Sequence, residues 1–280
     1  MKPLIGPFDA PIWPIPIGDW EIPIHGFGVL VALGFVVGGQ VSMNRAKALG
    51  LQPDVINRLI GWLVVGTFVG GHVGYGLMYE PARFLSNPRE FLYFWHGLSS
   101  FGGFVVCVPL GVWFLKKEKV PIWPYLDCLG HGLAVGWFFG RMGCFVAHGH
   151  PGTATEFYLG VYGICKGLEH NASIACHDMG LYESLWSLAT FGVFKLLDRV
   201  PRVPGFYVIL LGLAYGPTRF AMDFLRPETT DVRYLGLTPA QYWSVFLTIF
   251  CAVVLYRRIK SGDKYVWPEP NKEKEAESTK

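Results

Sequence analysis

The sequence predicts an all-α membrane protein with seven transmembrane helices, its N-terminus outside and its C-terminus in the cytoplasm. Three observations carry that expectation. Hydrophobic residues fill 51% of the 280 positions and charged residues only 16%, against roughly 25% charged in a soluble domain. With a mean hydropathy of +0.33, this balance excludes a disordered chain, a coiled coil and a nucleic-acid binder. Seven stretches reach or approach the ~20 mainly apolar residues that a bilayer demands: 26–44, 58–79, 99–115, 122–147, 181–197, 204–225 and 238–256. Finally, 16 of the 24 Lys and Arg fall on one side of such a zigzag, Lys116, Lys117, Lys119, Arg257, Arg258 and Lys260 among them. The Lys/Arg-rich side is the cytoplasmic one, and an odd number of spans then leaves the N-terminus outside. The chain therefore reads as a protein of a bacterial inner membrane.

Each element has its own justification. Residues 1–25 contain Pro3, Pro7, Pro11, Pro14, Pro16 and Pro23. They lack the basic start and continuous apolar stretch of a signal peptide. They read as an extended arm at the membrane interface, with Trp13 and Trp20 as anchors. The helical domain covers 26–260. Along its second span Gly66, Gly70 and Gly74 recur every four residues, a close-packing stripe, and Gly102 and Gly103 open the third span in the same structural-support role. Cys107, Cys128 and Cys251 lie in apolar spans as small core residues. The outer loop 148–180 carries Cys165 and Cys176 in an oxidising compartment, where they either form a disulfide or remain two unrelated thiols. Residues 261–280, rich in Lys and Glu, read as a solvated tail.

Ionisable residues inside spans are costly and mark functional sites by default. Arg141, in Gly140-Arg141-Met142-Gly143-Cys144-Phe145, lies near the outer end of the fourth span, and Arg219 near the outer end of the sixth. Both spans run the same way, so the two guanidiniums lie at similar depth. A pair of arginines at headgroup depth suits a phosphate, whose oxygens the guanidinium fork binds in pairs. The bland alternative is snorkelling to the interface, which accounts well for Arg226 and Arg233 and poorly for Arg141, two turns inside its span between glycines.

Pro217 should kink the sixth span. Asp223, four residues after Arg219, shares its helix face and would hold its rotamer. Asp127 sits at the wrong depth for the same site and reads as structural support. Glu183 either orients an arginine or serves as an acidic helix start. All eight histidines avoid the cytoplasmic loops. His148 and His150 directly follow the arginine segment, and their spacing near Cys144 invites a metal reading that it does not carry alone. No metal and no cofactor is expected; proton transfer suits imidazole better.

Several segments together resemble the prolipoprotein diacylglyceryl transferases. Gly140-Arg141-Met142-Gly143-Cys144-Phe145, continuing to Gly152, resembles that family's Gly-Arg-x-Gly-Asn-Phe signature. Gly70-Gly71-His72-Val73-Gly74-Tyr75, with Tyr79, resembles its second-span motif, and Gly97 to Gly103 its third-span opening. Asp127 precedes Arg141 by the family's spacing. His177 through Glu183 resembles the approach to its fifth span, and Tyr215-Gly216, Arg219, Asp223-Phe224 and Arg226-Pro227 resemble its late motif, with Asp for the usual Glu.

The resemblance implies transfer of a diacylglyceryl group from phosphatidylglycerol to the lipobox cysteine of a secreted prolipoprotein, with glycerol phosphate leaving and a thioether forming. It implies as partners phosphatidylglycerol, prolipoprotein signal peptides and membrane lipids. It implies substrate binding by Arg141, Arg219, Glu183, Tyr75, Gly140 and Gly143. The chain also departs from the pattern. The signature's Asn is Cys144, and its downstream Asn and Gly-Glu pair are Ala147 and His148-Gly149. The third-span His is Phe101, a first-span Tyr is His25, and a second-span Arg is His72. His148 and His150 appear where the acidic residue is lost, so they rank ahead of His177 as the base. The departures leave two further readings: a paralogue that moves a phospholipid-derived group to a different acceptor, and a non-catalytic lipid-binding protein on the same scaffold.

Overall fold

A computed structural model describes residues 2–17, 20–93, 97–165, 173–228 and 233–262. The charged tail beyond 262, His96 and His170, and the side chains of Trp20, Tyr79 and Phe101, lie outside the described residues. Helices occupy all seven apolar stretches: α1 (Gly26–Ala48), α2 (Pro53–Tyr79), α4 (Ser100–Lys117), α5 (Ile122–Val146), α6 (Met179–Leu197), α7 (Phe206–Met222) and α8 (Pro239–Lys260). A short α3 (Pro81–Ser86) follows α2. By length and composition, α1, α2, α7 and α8 are each sufficient to cross a membrane. Val36, Val65, Val105 and Phe246 present their side chains outward, as an apolar solvent permits and water does not.

The described residues form two compact units, 43–126 and the remainder. Within 43–126, α2 and α4 pack along the expected glycine stripe. A methyl group on Gly70 would lie 2.6 Å from the Gly102 carbonyl oxygen, and one on Gly102 would strike the backbone of Gly70 and Gly74. Ser99 caps α4 by accepting the Gly102 N–H at 3.4 Å, while Gly103 lies in looser contact with Thr67. His72 is fully buried, its two ring nitrogens facing the carbonyls of Gly97 at 3.2 Å and Glu90 at 3.0 Å. The Tyr75 hydroxyl donates to Glu80 at 2.7 Å.

In the larger unit the proline-rich arm is a hairpin. Strands β1 (Ile12–Ile17) and β2 (Trp20–His25) pair antiparallel, with Pro14 opposite Pro23. Neither proline has an N–H, so that rung lacks backbone donors. Trp13 is exposed, as an interfacial anchor requires. Helix α1 then meets α5 backbone to backbone. Gly34 lies on Gly136, and Gly38 on Gly132, a small-residue seam. Asp127, fully buried, accepts hydrogen bonds from the N–H groups of Gly205 (2.7 Å), Tyr207 (2.9 Å) and Val208 (3.0 Å). It thus caps the start of α7 from another helix, the structural role its depth implies.

Beyond α5 the chain builds a three-stranded outer sheet of β3 (Pro151–Ala154), β4 (Val161–Tyr162) and β5 (Ala175–Asp178), in the order β3-β5-β4. Ile5 bridges Val161, fastening the N-terminal arm to this sheet. Cys165 and Cys176 are joined as a disulfide with Cα atoms 5.5 Å apart, in a small core with Val161, Ile164, Phe8 and Phe145. Strand β5 passes into α6 without a loop, so the sheet sets where that helix begins.

Two predictions follow from this packing. Gly132→Val forces a side chain against Ser42 and the Gly38 carbonyl, and overpacking of this kind costs ~1–3 kcal/mol. Its thermal midpoint in detergent should fall well below that of Gly140→Ala, whose added methyl meets open space; equal midpoints would refute the seam. In isolated membranes, a thiol reagent applied without prior reduction should leave Cys165 and Cys176 unlabelled and label both after reduction.

Candidate active site

The site sits where the C-terminal ends of α5 and α7 meet the N-terminal end of α6, beside the three-stranded sheet. Arg141 projects from the last turns of α5, and its Nε lies 2.9 Å from Oε2 of Glu183 on α6. Glu183 is 1% exposed and its partner 18%, so the carboxylate is buried and the guanidinium only partly so. The same Oε2 accepts from Trp137 Nε1 at 3.4 Å and from the Tyr215 hydroxyl at 3.3 Å. Trp137, one turn before Arg141, lies under the guanidinium with its ring centre 5.0 Å from Cζ, within cation–π distance. The Tyr215 ring packs against Trp137 and Trp186. Of the two roles open to Glu183, orienting an arginine is the one its contacts fulfil.

Arg219 repeats the arrangement on α7. Its Nη1 lies 2.7 Å from Oδ1 of Asp223, which is fully buried. The same oxygen is 3.8 Å from Arg226 Nη1, and Oδ2 accepts the Thr238 hydroxyl. Tyr215 lies one turn before Arg219 on α7, and its hydroxyl donates to Glu183, the acid that holds Arg141. Tyr215 thus links the helix of one arginine to the carboxylate of the other. Each arginine has a buried carboxylate on one side and remains partly exposed on another. An isolated buried carboxylate is costly and a paired one much less so, so each acid both holds its arginine and depends on it.

The remaining expected residues fall elsewhere. Gly143 packs against Phe27 of α1, and Gly140 borders open space. Tyr75, Gly102 and Gly103 belong to the unit of residues 43–126. His148 adopts a left-handed backbone with φ of 50°. Its Nε2 lies 2.7 Å from the Phe8 carbonyl, and a carbonyl can only accept, so Nε2 carries the proton. Nδ1 is buried and without a hydrogen-bond partner among the described residues. The His150 carbonyl accepts the Met179 N–H. His177 Nδ1 lies 2.7 Å from the Tyr182 hydroxyl, and burial lowers its basicity.

Asp178 was not singled out by sequence. It is fully buried and caps α6, accepting the Leu181 N–H at 2.8 Å. Two residues on, Gly180 presses on the Arg141 carbonyl and the Phe145 N–H. An acidic residue just before an apolar helix is the signal that would have found it. Trp137 had a signal too, four residues before Arg141 on the same face. Among the described residues, no group of three metal-ligating side chains comes together.

The fold and site define a membrane-embedded helical protein with two carboxylate-held arginines near helix ends. Residues 15–257 match the family model described as prolipoprotein diacylglyceryl transferase, and the chain belongs to that family. Among its relatives is the phosphatidylglycerol–prolipoprotein diacylglyceryl transferase of Wolbachia sp. subsp. Drosophila simulans, 32% identical over 248 residues, covering 86% of this chain and 93% of that one. The protein of the same name from Chromohalobacter salexigens is 29% identical over 237 residues, covering 83% and 87%. That from Pseudomonas entomophila is 25% identical over 272 residues, covering 95% and 97%.

Burial pushes the Asp178 carboxyl up to about 7, against the amide hydrogen bonds it accepts from Leu181 and Gly180. A carboxyl whose pKa is raised on folding binds its proton more tightly in the native state. Its stabilisation is full below the unfolded carboxyl value of roughly 4 and is lost as pH rises through about 7. Asp178→Asn keeps a capping oxygen and removes the titration. Its thermal midpoint should fall less than the wild-type one between pH 5 and pH 8; identical slopes would show that Asp178 does not titrate there.

Proposed function

We propose that this protein transfers the diacylglyceryl group of phosphatidylglycerol to the lipobox cysteine thiol of secreted prolipoproteins. A new C–S bond forms at the glyceryl carbon, the C–O bond to phosphate breaks, and glycerol phosphate departs with the bonding pair. The observation that carries this reading is the pair of arginines, each fixed by its own buried acid, with Tyr215 joining the helix of Arg219 to the acid that holds Arg141. Negative charge grows on the phosphate as the bond breaks, and donors already aimed at it stabilise that charge without reorganising. Trp137 and Glu183 hold Arg141 in one rotamer, so little ordering remains for substrate binding to accomplish.

The acceptor thiol has an ordinary pKa of about 8.5, so a base must take its proton. His148 is the base in this reading, ahead of His150 and His177. Its ring is tied to the Phe8 carbonyl through Nε2, which leaves Nδ1 without a hydrogen-bond partner among the described residues and open to a proton from the substrate thiol. The seven helices cross the inner membrane with the N-terminus outside, the C-terminal tail in the cytoplasm and the site toward the outer leaflet. There, lipid headgroups and the signal peptides of prolipoproteins are both at hand. Gly140 and Gly143, beside Arg141 on α5, complete the substrate-binding set in this reading.

Complementation of a strain depleted of its own transferase tests this, with the mass of a reporter lipoprotein as the readout. Wild type should add one diacylglyceryl group. Arg141→Ala should insert and lose transfer by at least ~100-fold, the scale for removing one donor to a developing oxyanion. Arg141→Lys should recover little, because an ammonium cannot replace the planar fork. Near-normal activity of the Lys variant would show that charge alone suffices. An unmodified reporter with wild type present would overturn the reading in favour of another acceptor.

A further inference from the structure

We propose that Thr238, at the start of α8, is a positioning residue that aims Arg219 at the phosphate through the buried carboxylate of Asp223. The inference rests on the transferase reading for the identity of the anion, and on geometry for everything else.

Asp223 is fully buried, and its two oxygens have different tasks. Oδ1 holds Arg219 at 2.7 Å, with Arg226 farther off at 3.8 Å. Oδ2 accepts the Thr238 hydroxyl. Thr238, 2% exposed, is itself fixed twice over. Its hydroxyl oxygen accepts the Gln241 N–H at 3.2 Å, and its own N–H donates to Gln241 Oε1 at 2.9 Å. This reciprocal cap leaves the hydroxyl proton one direction to point, toward Asp223. Gln241 then spends its amide N–H on the Phe220 carbonyl at 3.2 Å, the residue next to Arg219. A closed circuit thus runs from the last turn of α7, through Gln241 and Thr238, to Asp223 and back to Arg219. Below it the two helices interlock, since Gly216 leaves room for the Thr248 hydroxyl and the Ser244 carbonyl.

The circuit matters because a carboxylate can meet a guanidinium in two ways. With Oδ2 held by Thr238, Asp223 offers one oxygen, and Arg219 keeps its other donors for a second anion. With Oδ2 released, both oxygens are free to take the guanidinium fork in the bidentate mode. The buried oxygen would otherwise stand unsatisfied. Arg219 would then be drawn onto its own helix and away from the ligand. The hydroxyl of Thr238 thereby reserves part of Arg219 for substrate.

The test uses the full-length protein in phosphatidylcholine nanodiscs, with glycerol phosphate, the leaving group, as the probe. Calorimetry reads its affinity, and the transfer assay reads KM for phosphatidylglycerol. Thr238→Val keeps the shape and removes the donor. It should weaken glycerol phosphate binding and raise KM by about tenfold, the factor that corresponds to about 1.4 kcal/mol. Thr238→Ser restores the hydroxyl and should recover most of both.

Gln241→Ala breaks the cap and spares the Thr238–Asp223 contact. It should lower the thermal midpoint and weaken affinity clearly less than Thr238→Val does, because the Thr238 hydroxyl keeps its Asp223 partner while losing half of its cap. In an Arg219→Ala background, Thr238→Val should add nothing. Three results would overturn the inference: unchanged affinity in Thr238→Val, an equal loss in Gln241→Ala, or losses that multiply with Arg219→Ala. If wild type binds glycerol phosphate and Thr238→Val weakens it, yet no transfer is seen, the positioning role stands and the transferase reading falls. No binding by wild type would sink both.

Discussion

The ion pair of Glu183 with Arg141 is the constraint around which the larger unit is arranged. A carboxylate that is 1% exposed among apolar helices is tenable only with its charge met and its lone pairs filled. Trp137, Tyr215 and Arg141 fill them from two other helices, so α5, α6 and α7 must end at matching heights. The rest of the unit serves that alignment. Asp127 fixes where α7 begins, Asp178 fixes where α6 begins, and the α1–α5 glycine seam fixes α5 against the first helix. Removal of one arginine would thus disturb more than a ligand contact, because it would strip the counter-charge from a buried acid.

Arg219 and Asp223 use the same device in a different form. Here acid and base are one turn apart on a single helix, so the pair does not order α7 against its neighbours. That task passes to Thr238 and Gln241 at the head of α8. One arginine is therefore held by an acid on another helix and the other by an acid on its own. Tyr215, on the helix of Arg219 and bonded to the acid of Arg141, is the element common to both.

Sequence reasoning reached the helices well and their contacts unevenly. The seven apolar stretches were legible because a bilayer imposes a length that no other constraint overrides, and the helical ends differ from expectation by a few residues. Arg141, Arg219, Asp223 and the structural Asp127 were legible because charge inside an apolar run has few explanations. The role of Glu183 was left between two options because periodicity shows a face and not its neighbour. The hairpin at 12–25 read only as an extended arm, since prolines that exclude helix do not say what pairs with what. Thr238 went unnoticed although Thr-x-x-Gln before a helix, with Pro239 at its first position, is a start signal. The signal announces a cap, and only the fold brings that cap to Asp223. His148 and His150 ranked together as candidate bases on sequence, and the tether of His148 to Phe8 joins residues 140 positions apart, which no local pattern records.

The disulfide between Cys165 and Cys176 closes a small ring whose ends stay 5.5 Å apart whatever is written between them. Lengthening a closed loop is entropically mild, about 0.6 kcal/mol per doubling. A longer ring therefore costs little by itself, whereas Cys176 belongs to β5 and lies two residues before Asp178 and the head of α6. An insertion between Cys176 and Asp178 would shift the start of α6 and with it Glu183, moving the carboxylate that holds Arg141.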